Sequence, residues 1–165
     1  IAQMVNVLQA VILTDGAKMI KTPTYYVFKM FLDHQDATAL NTQDDLPDTV
    51  TTSVSKTDKG YLLSLVNYGL TVAEEVRYAF QTHTVTAAQG EILHSSTMDA
   101  HNDFEAPDVV QPEVMTAGLT HDAHQVTATI PPMSDGPCPI ECPAGLAEIW
   151  SRPIRIKSRK PLRTN

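Results

Sequence analysis

The stretch IAQMVNVLQAVIL, residues 1–13, decides the fold expected for the beginning of the chain. It is apolar over almost its whole length, which is typical of a strand buried on both faces of a sheet. A short polar turn, residues 14–16, follows it. Thr22 and Pro23 then indicate a helix start, because threonine is a good N-cap and proline loses no hydrogen bond in the first turn.

The helix expected after Pro23 is apolar almost all round. Its body, residues 25–32, contains one charged side chain, Lys29, and Asp33 follows it. A helix of this kind needs neighbours on several sides, which a single strand cannot provide. We therefore expect residues 1–36 to be one β/α unit of a larger parallel α/β assembly.

Residues 37–48 lose the helical pattern and collect Asp, Thr, Asn and Pro47, so we interpret them as a linker. From Thr49 onwards the apolar residues recur with a period of two, and turn residues separate short runs. This pattern predicts an antiparallel β-sandwich over residues 49–134. The strands expected from it cover residues 50–56, 61–68, 76–82, 91–94, 109–115 and 125–130.

The sequence contains the blocks IAQMVNVLQA at residues 1–10, MDAHNDFEAPD at residues 98–108 and IPPMS at residues 130–134. With three further blocks, they resemble the end of the catalytic barrel and the C-terminal sandwich of α-L-arabinofuranosidases of glycoside hydrolase family 51. The blocks occur in the family's order and cover roughly the first 134 residues. The fold implied by the resemblance is mainly β: an antiparallel, jelly-roll-like sandwich preceded by a strand–helix remnant of a (β/α)8 barrel. The blocks are residues 1–10, 13–16, 21–30, 34–38, 98–108 and 130–134.

The resemblance implies a function for the parent protein, which would be a retaining enzyme that removes terminal non-reducing α-L-arabinofuranosyl residues from arabinoxylan, arabinan and their oligosaccharides. Such an enzyme needs two facing carboxyl groups roughly 5–5.5 Å apart. In the family both are glutamates on earlier barrel strands, and this chain carries no match to either. We therefore expect no catalytic residue here, and an isolated chain that is inactive and structural.

The resemblance also implies one substrate contact, Gln3, whose family counterpart reaches into the active site. A neutral amide can donate to and accept from a sugar without adding charge beside catalytic carboxylates. Gln9 is a rival candidate and Asn6 a weaker one. Tyr25 and Tyr26 could stack on a sugar, but their position on a helix favours packing.

Residues 135–165 depart from the family. A closing strand rich in Val and Leu should follow residues 130–134, and instead the sequence becomes dense in proline and then basic. We expect this closing strand to be absent, leaving a sheet edge uncovered. We further expect the segment to be a poorly ordered tail that is foreign to the fold.

Other polar clusters favour structural roles. Glu74 and Glu75 are adjacent on a strand and should point apart. The acidic stretch around Asp103 suggests a loop held by Asx turns, with Phe104 packed inward, more than a calcium or sugar site. The histidine pair of residues 121–124 is more typical of a surface turn than of a metal site. The C-x-x-x-C of residues 138–142 is a weak metal signal and a possible local disulfide, and we expect neither. We expect no metal and no cofactor.

Bulk properties exclude some partners. The net charge is −7 and the pI about 5.2, which argues against nucleic acid and anionic membranes. No apolar run reaches the roughly twenty residues of a membrane span, and the first residues lack the basic flank of a signal peptide. We expect a cytoplasmic protein, with secretion left open. The expected partners are arabinose-containing oligo- and polysaccharides, the rest of the catalytic barrel and, in the parent enzyme, further copies of itself.

Two alternative functions are left open by the sequence. A stand-alone carbohydrate-binding sandwich would display a row of exposed aromatic side chains, but aromatic residues make up only 6% of this chain. Its single tryptophan, Trp150, lies in the atypical tail. An assembly domain that does not contact sugar is the other alternative.

Overall fold

The computed structural model describes residues 4–8, 10–81, 83–141 and 154–158. The first unit is a hairpin and a helix. Strands β1 (Ile12–Asp15) and β2 (Lys18–Lys21) pair antiparallel, and helix α1 (Pro23–Phe31) follows. A 3₁₀ turn, Leu32–His34, extends the helix.

The single strand expected over residues 1–13 is wrong for the described part of that stretch. Asn6 has a positive φ of 55°, and the chain folds back after it. The carbonyl of Met4 accepts the N–H groups of Val11 and Ile12, at 3.0 and 3.1 Å. The only regular strand therefore begins at Ile12 and pairs with β2, an arrangement that the apolar pattern alone does not reveal.

The helix start is confirmed, although Thr22 acts differently from a side-chain cap. It has the extended backbone of an N-cap and Pro23 follows it, but its hydroxyl does not cap the helix. That hydroxyl donates to the carbonyls of Ala10 and Val11, at 2.7 and 3.1 Å. Thr22 thus fastens the start of α1 to the residues before β1.

The rest of the described chain forms two sheets. The seven-stranded sheet has the order β10-β9-β13-β6-β5-β3, with β8 also pairing with β13, and the five-stranded sheet has the order β11-β12-β7-β14-β4. All pairings are antiparallel except that of β14 with β4. The strands are β3 (Thr38–Ala39), β4 (Thr42–Asp45), β5 (Val50–Thr57), β6 (Gly60–Asn67), β7 (Glu74–Ala79), β8 (Ala87–Ala88), β9 (Glu91–His94), β10 (Glu113–Val114), β11 (Leu119–His121), β12 (Gln125–Ile130), β13 (Ser134–Glu141) and β14 (Ile154–Ser158).

The main core lies between the two sheets. Alternate residues of β6, β7 and β12 supply most of it, and Ile156 of β14 completes it. The other face of the seven-stranded sheet is covered by α1, where Met30, Leu93 and Val110 form a second cluster. The mainly β, antiparallel sandwich expected from the sequence is confirmed.

Two segments expected to lie outside the sandwich contribute strands to it. The stretch interpreted as a linker, residues 37–48, holds β3 in one sheet and β4 in the other. The expectation of an absent closing strand is wrong, because β13 pairs with β6 along its whole length and β14 lies between β7 and β4. The remaining tail residues, 142–153 and 159–165, lie outside the described residues, so the expected disorder stays a prediction.

The prolines of β13 explain why its sequence does not look like a strand. Pro137 and Pro139 lie opposite Ser64 and Leu62 of β6. On the other side of β13, the described pairing with β9 ends at Asp135 and that with β8 begins at Ile140. Both prolines thus fall in the gap between β9 and β8, where a missing N–H breaks no ladder.

Candidate functional site

The N-terminal segment carries the residues for which sugar contact is expected, and the structure describes one of them. The Asn6 amide is fully engaged with Thr14: its Oδ1 accepts the Thr14 N–H at 2.7 Å, and its Nδ2 donates to the Thr14 carbonyl and hydroxyl at 3.2 and 2.9 Å. This geometry gives Asn6 the role of holding the segment against β1. Gln3 and Gln9 lie outside the described residues, and sugar contact by either stays a prediction.

The acidic stretch around Asp103 is a structured loop. Asp103 Oδ1 accepts the N–H groups of Ala106 and Glu105, at 2.7 and 2.8 Å, which is the Asx turn expected from the sequence. These two backbone N–H groups lower the pKa of Asp103, and His101 adds to the effect. Phe104 is half-buried.

Asn102 is the buried residue of this loop, and the sequence reasoning missed it. It is 3% exposed. Its Nδ2 donates to the carbonyls of Lys21 and Val110, at 2.9 and 2.8 Å, and its Oδ1 accepts the Val110 N–H at 2.7 Å. One side chain therefore closes the loop and joins it to β2. An asparagine among turn residues was the available signal, but it does not reveal a partner eighty residues away.

The loop also approaches α1. Ala100 packs against the cluster of Met30, Leu93 and Val110. Burial raises the pKa of the Tyr26 phenol, and the negative charge of Asp108 raises it further. The loop is thus part of the layer between α1 and the seven-stranded sheet, which favours its structural interpretation.

The two adjacent glutamates of β7 do not form a catalytic pair. Glu74 is buried on the same side of the strand as Val76 and Tyr78. Glu75 is on the other side and pairs with Arg77, whose Nη2 lies 2.6 Å from Glu75 Oε1. The carboxylates therefore point apart, as the alternation of a strand requires.

No group of three or more His, Cys, Asp or Glu side chains comes together as a metal site within the described parts of the chain. His124 Nδ1 lies 3.1 Å from the His83 carbonyl, and Asp122 accepts the His124 N–H. The Asp122 contact closes a turn, and the His83 contact joins that turn to the segment after β7. Cys142 lies outside the described residues, so pairing with Cys138 is not addressed.

His34 lies against two buried serines, and the sequence reasoning gave it no role of its own. Its Nδ1 lies 2.8 Å from Ser55 Oγ and its Nε2 lies 2.6 Å from Ser64 Oγ. Its ring stacks on Phe31 at 5.6 Å. Burial lowers the pKa of His34, and the charge of Asp33 opposes this. A lone histidine after an apolar helix was the only signal.

Comparison with known protein families matches residues 1–134 to the alpha-L-arabinofuranosidase C-terminal domain. This chain belongs to that family. The match covers the hairpin–helix unit and most of the sandwich of the arabinofuranosidase domain. The resemblance to family 51 glycoside hydrolases is thereby confirmed.

Similar proteins agree with this assignment. The chain is 40% identical over 123 residues to an intracellular exo-alpha-L-arabinofuranosidase of Bacteroides ovatus, a match that covers 68% of the chain and 24% of that protein. A family 51 arabinofuranosidase of Xanthomonas axonopodis pv. citri has a similar structure, with a TM-score of 0.74 and 30% identity over 85% of the chain and 30% of that structure. The Thermotoga maritima enzyme solved with arabinose shares the fold, with a TM-score of 0.68 at 21% identity, covering 83% of the chain and 32% of that structure.

The domain thus spans about a quarter of the length of its curated relative. None of the helices that the structure describes combines the length and the hydrophobicity of a membrane span.

Proposed function

We propose that this chain is the C-terminal portion of a retaining α-L-arabinofuranosidase that hydrolyses terminal non-reducing α-L-arabinofuranosyl residues in arabinoxylan, arabinan and their oligosaccharides. In this proposal the chain itself is structural, and it is inactive when isolated. The observation that carries the proposal is the family match over residues 1–134 together with an uncovered apolar face on the N-terminal unit.

That face lies on α1 and the 3₁₀ turn that extends it. Phe28 is 52% exposed and Leu32 is 59% exposed, and they lie four residues apart, hence on one side of the helical segment. We call this side of the helical segment the apolar face. Elsewhere on the N-terminal unit, Met19 of β2 and Leu8 are exposed as well.

The occupant proposed for the apolar face is the rest of the catalytic barrel. Met30, on the same helix, is already buried against the sheet, so α1 has one side on the sandwich and another side uncovered. Exposed apolar clusters of this kind mark interaction surfaces. A barrel preceding the chain would cover them and would fix the sandwich beside the active site.

The catalytic carboxylates are proposed to lie in that barrel. Retention requires two carboxyl groups roughly 5–5.5 Å apart, one acting as nucleophile and the other as acid and then base. Glu74 and Glu75 do not fit the role of this carboxyl pair, because they lie on opposite sides of β7. Active sites of barrels also lie at the carboxyl ends of their strands.

Gln3 is proposed to contact the arabinofuranose. The proposal rests on its position in the family-matched N-terminal segment and on the chemistry of its amide. The engagement of Asn6 with Thr14 supports a structural role for the weaker candidate.

The cellular setting and the assembly state of the parent protein are further parts of the proposal. We propose an intracellular protein, because the curated relative is named as intracellular. The parent enzyme is proposed to be a homo-oligomer whose partners are arabinose-containing glycans. Nucleic acid and membranes are not proposed, given the net charge of −7.

A carbohydrate-binding module receives no support from the described residues. The exposed aromatic side chains among them are Phe28 and Tyr68, which lie on separate elements and do not form a row.

The proposal is tested with nitrophenyl α-L-arabinofuranoside. This chain alone should release no nitrophenol. A chimera in which it replaces the matching segment of the Bacteroides ovatus relative should be active. Gln3→Ala should lower kcat/KM of the chimera, whereas the exposed Gln35→Ala should not. Activity of the isolated chain, or an inactive but folded chimera, would overturn the proposal.

A further inference from the structure

The end of α1 is attached to the sandwich through one titratable side chain. His34 closes the 3₁₀ turn Leu32–His34 and reaches two strands of the seven-stranded sheet. Ser55 belongs to β5 and Ser64 to β6, and the two serines are 5% and 1% exposed. The imidazole therefore contacts two neighbouring strands on the face of the sheet that α1 covers, and Phe31 stacks on its ring.

The contact continues through the sheet. The Ser64 carbonyl accepts the Thr52 hydroxyl at 3.0 Å, and Thr52 Oγ1 lies 2.8 Å from the buried Tyr78 hydroxyl. A line of polar groups thus runs from the helical turn through β6 and β5 to β7 of the opposite sheet. In buried surroundings of this kind a polar group left without a partner is costly.

The neutral imidazole suits this environment better than the cation. A neutral ring has one donor and one acceptor, so one serine accepts from it and the other donates to it. The cation has two donors, and the serine hydroxyl that donated to the ring must then find another acceptor. Among the described residues neither Ser55 Oγ nor Ser64 Oγ has a second partner.

The charged groups around the ring are few. Asp33, beside it on the same turn, is exposed. On β5 and β6 the register places Ser53 and Leu62 beside the two serines, and neither is ionisable. On β13, Asp135 pairs with Val66, which lies two residues after Ser64 on β6. Lys56 is close to His83 instead and shares the other face of β5 with Val54.

We propose that His34 is a pH-sensitive latch, which holds the end of α1 on the seven-stranded sheet while its imidazole is neutral and releases it when the imidazole is protonated. The lowered pKa of His34, caused by burial, agrees with this geometry. The latch acts between α1 and the sandwich, and it does not depend on the proposed function.

Hydrogen exchange of the Gln35 amide reports the latch, because this N–H donates to the Leu32 carbonyl at 2.9 Å and closes the turn. Exchange is followed in this chain between pH 5 and 8 and corrected for the intrinsic rate. Amides of β6 report global unfolding. The protection of Gln35 should fall below about pH 6.5, by at most about tenfold per pH unit for one proton, while β6 stays protected.

His34→Gln keeps a donor and an acceptor but does not titrate, so its Gln35 protection should not vary with pH. His121→Gln, at an exposed histidine, should behave as the wild type. A wild-type Gln35 amide indifferent to pH, or a pH effect that survives in His34→Gln, would overturn the proposal. If His34→Gln does not fold, ring NMR of the wild type decides: a loss of Gln35 protection that follows the titration of His34 supports the latch, and a loss that does not follow it overturns the latch.

Discussion

Single side chains that reach across the molecule hold its irregular segments. Asn102, Asn6 and Thr22 each bond to backbone groups eight or more residues away. They lie in segments with little regular structure, where backbone N–H and C=O groups would otherwise lack partners. The two asparagines differ in burial, because Asn102 is buried and Asn6 is exposed.

Asn102→Ala should lower the free energy of unfolding by about 2–3 kcal/mol, because it leaves the Lys21 carbonyl and both polar groups of Val110 without that partner in a buried place. Urea unfolding measures the change. Asn6→Gly is the matched control: it also removes three hydrogen bonds and tolerates the positive φ, but water replaces them, so the loss should stay below about 1 kcal/mol. Equal losses would contradict the importance of burial.

Gly118→Ala should destabilise the fold by about 2–3 kcal/mol. Its φ is +79°, which disfavours any side chain, and a Cβ would lie 3.1 Å from the Thr129 carbonyl oxygen, a backbone atom that cannot move aside easily. Gly16→Ala isolates the first effect, because φ is +56° there but nothing lies within 4 Å, and about 1 kcal/mol is expected. Thermal unfolding of both variants compares them, and a smaller loss at Gly118 would refute the contact.

At the scale of elements, alternation in the sequence located β12, whose Val126, Ala128 and Ile130 are buried as expected. β9, which does not alternate, was recognised as a short run after Gly90, and both strands begin and end where predicted. β3 and β4 were missed because they are short and polar. β13 was missed because it contains prolines, which are tolerated there since they lie between its pairings with β9 and β8. Of the 109–115 strand, only Glu113–Val114 forms.

The candidate site was less predictable than the strands. The family resemblance could be read from local sequence blocks, and it is confirmed over residues 1–134. The contacts of His34 with Ser55 and Ser64 join residues 21 and 30 positions apart. Spacings of this kind depend on sheet register and on how α1 lies on the sheet, neither of which a periodicity encodes.

Acidification should weaken the sandwich through two histidines. Burial lowers the pKa of His34 and of His83, and Lys56 lowers that of His83 further. Between the lowered pKa values of the folded protein and the ordinary value of 6.5, the unfolded chain binds more protons than the folded chain. The contribution of these histidines to the free energy of unfolding is therefore fully present above about pH 6.5 and is lost as the pH falls below it. Urea midpoints at pH 7.5 and 5.5 measure the loss. The double variant His34→Gln/His83→Gln should reduce this pH difference, and an unchanged difference would assign it to other groups.

At the scale of the whole molecule, the two sides of α1 have different surroundings, which the sequence does not distinguish. Met30, 5% exposed, completes the cluster on the seven-stranded sheet, whereas Phe28 and Leu32 remain uncovered. An apolar helix of this kind stabilises the sandwich with one side, and in the proposed function the other side contacts the barrel. The apolar pattern of residues 25–32 predicted the need for neighbours, and the structure shows which side of the helix has them.

This division predicts opposite responses to two substitutions in one helix. In the isolated chain Met30→Ala should lower the free energy of unfolding by about 2–4 kcal/mol, because it opens a cavity in the α1 cluster. Phe28→Ala should change it by less than about 0.5 kcal/mol, because that side chain is already half in water. In the chimera with the Bacteroides ovatus relative, Phe28→Ala should also lower Tm, since the proposed barrel would then bury that ring. If Phe28→Ala lowered the free energy of unfolding of the isolated chain as much as Met30→Ala does, the chain itself would bury the apolar face. An unchanged Tm of the Phe28→Ala chimera would contradict docking of the barrel there.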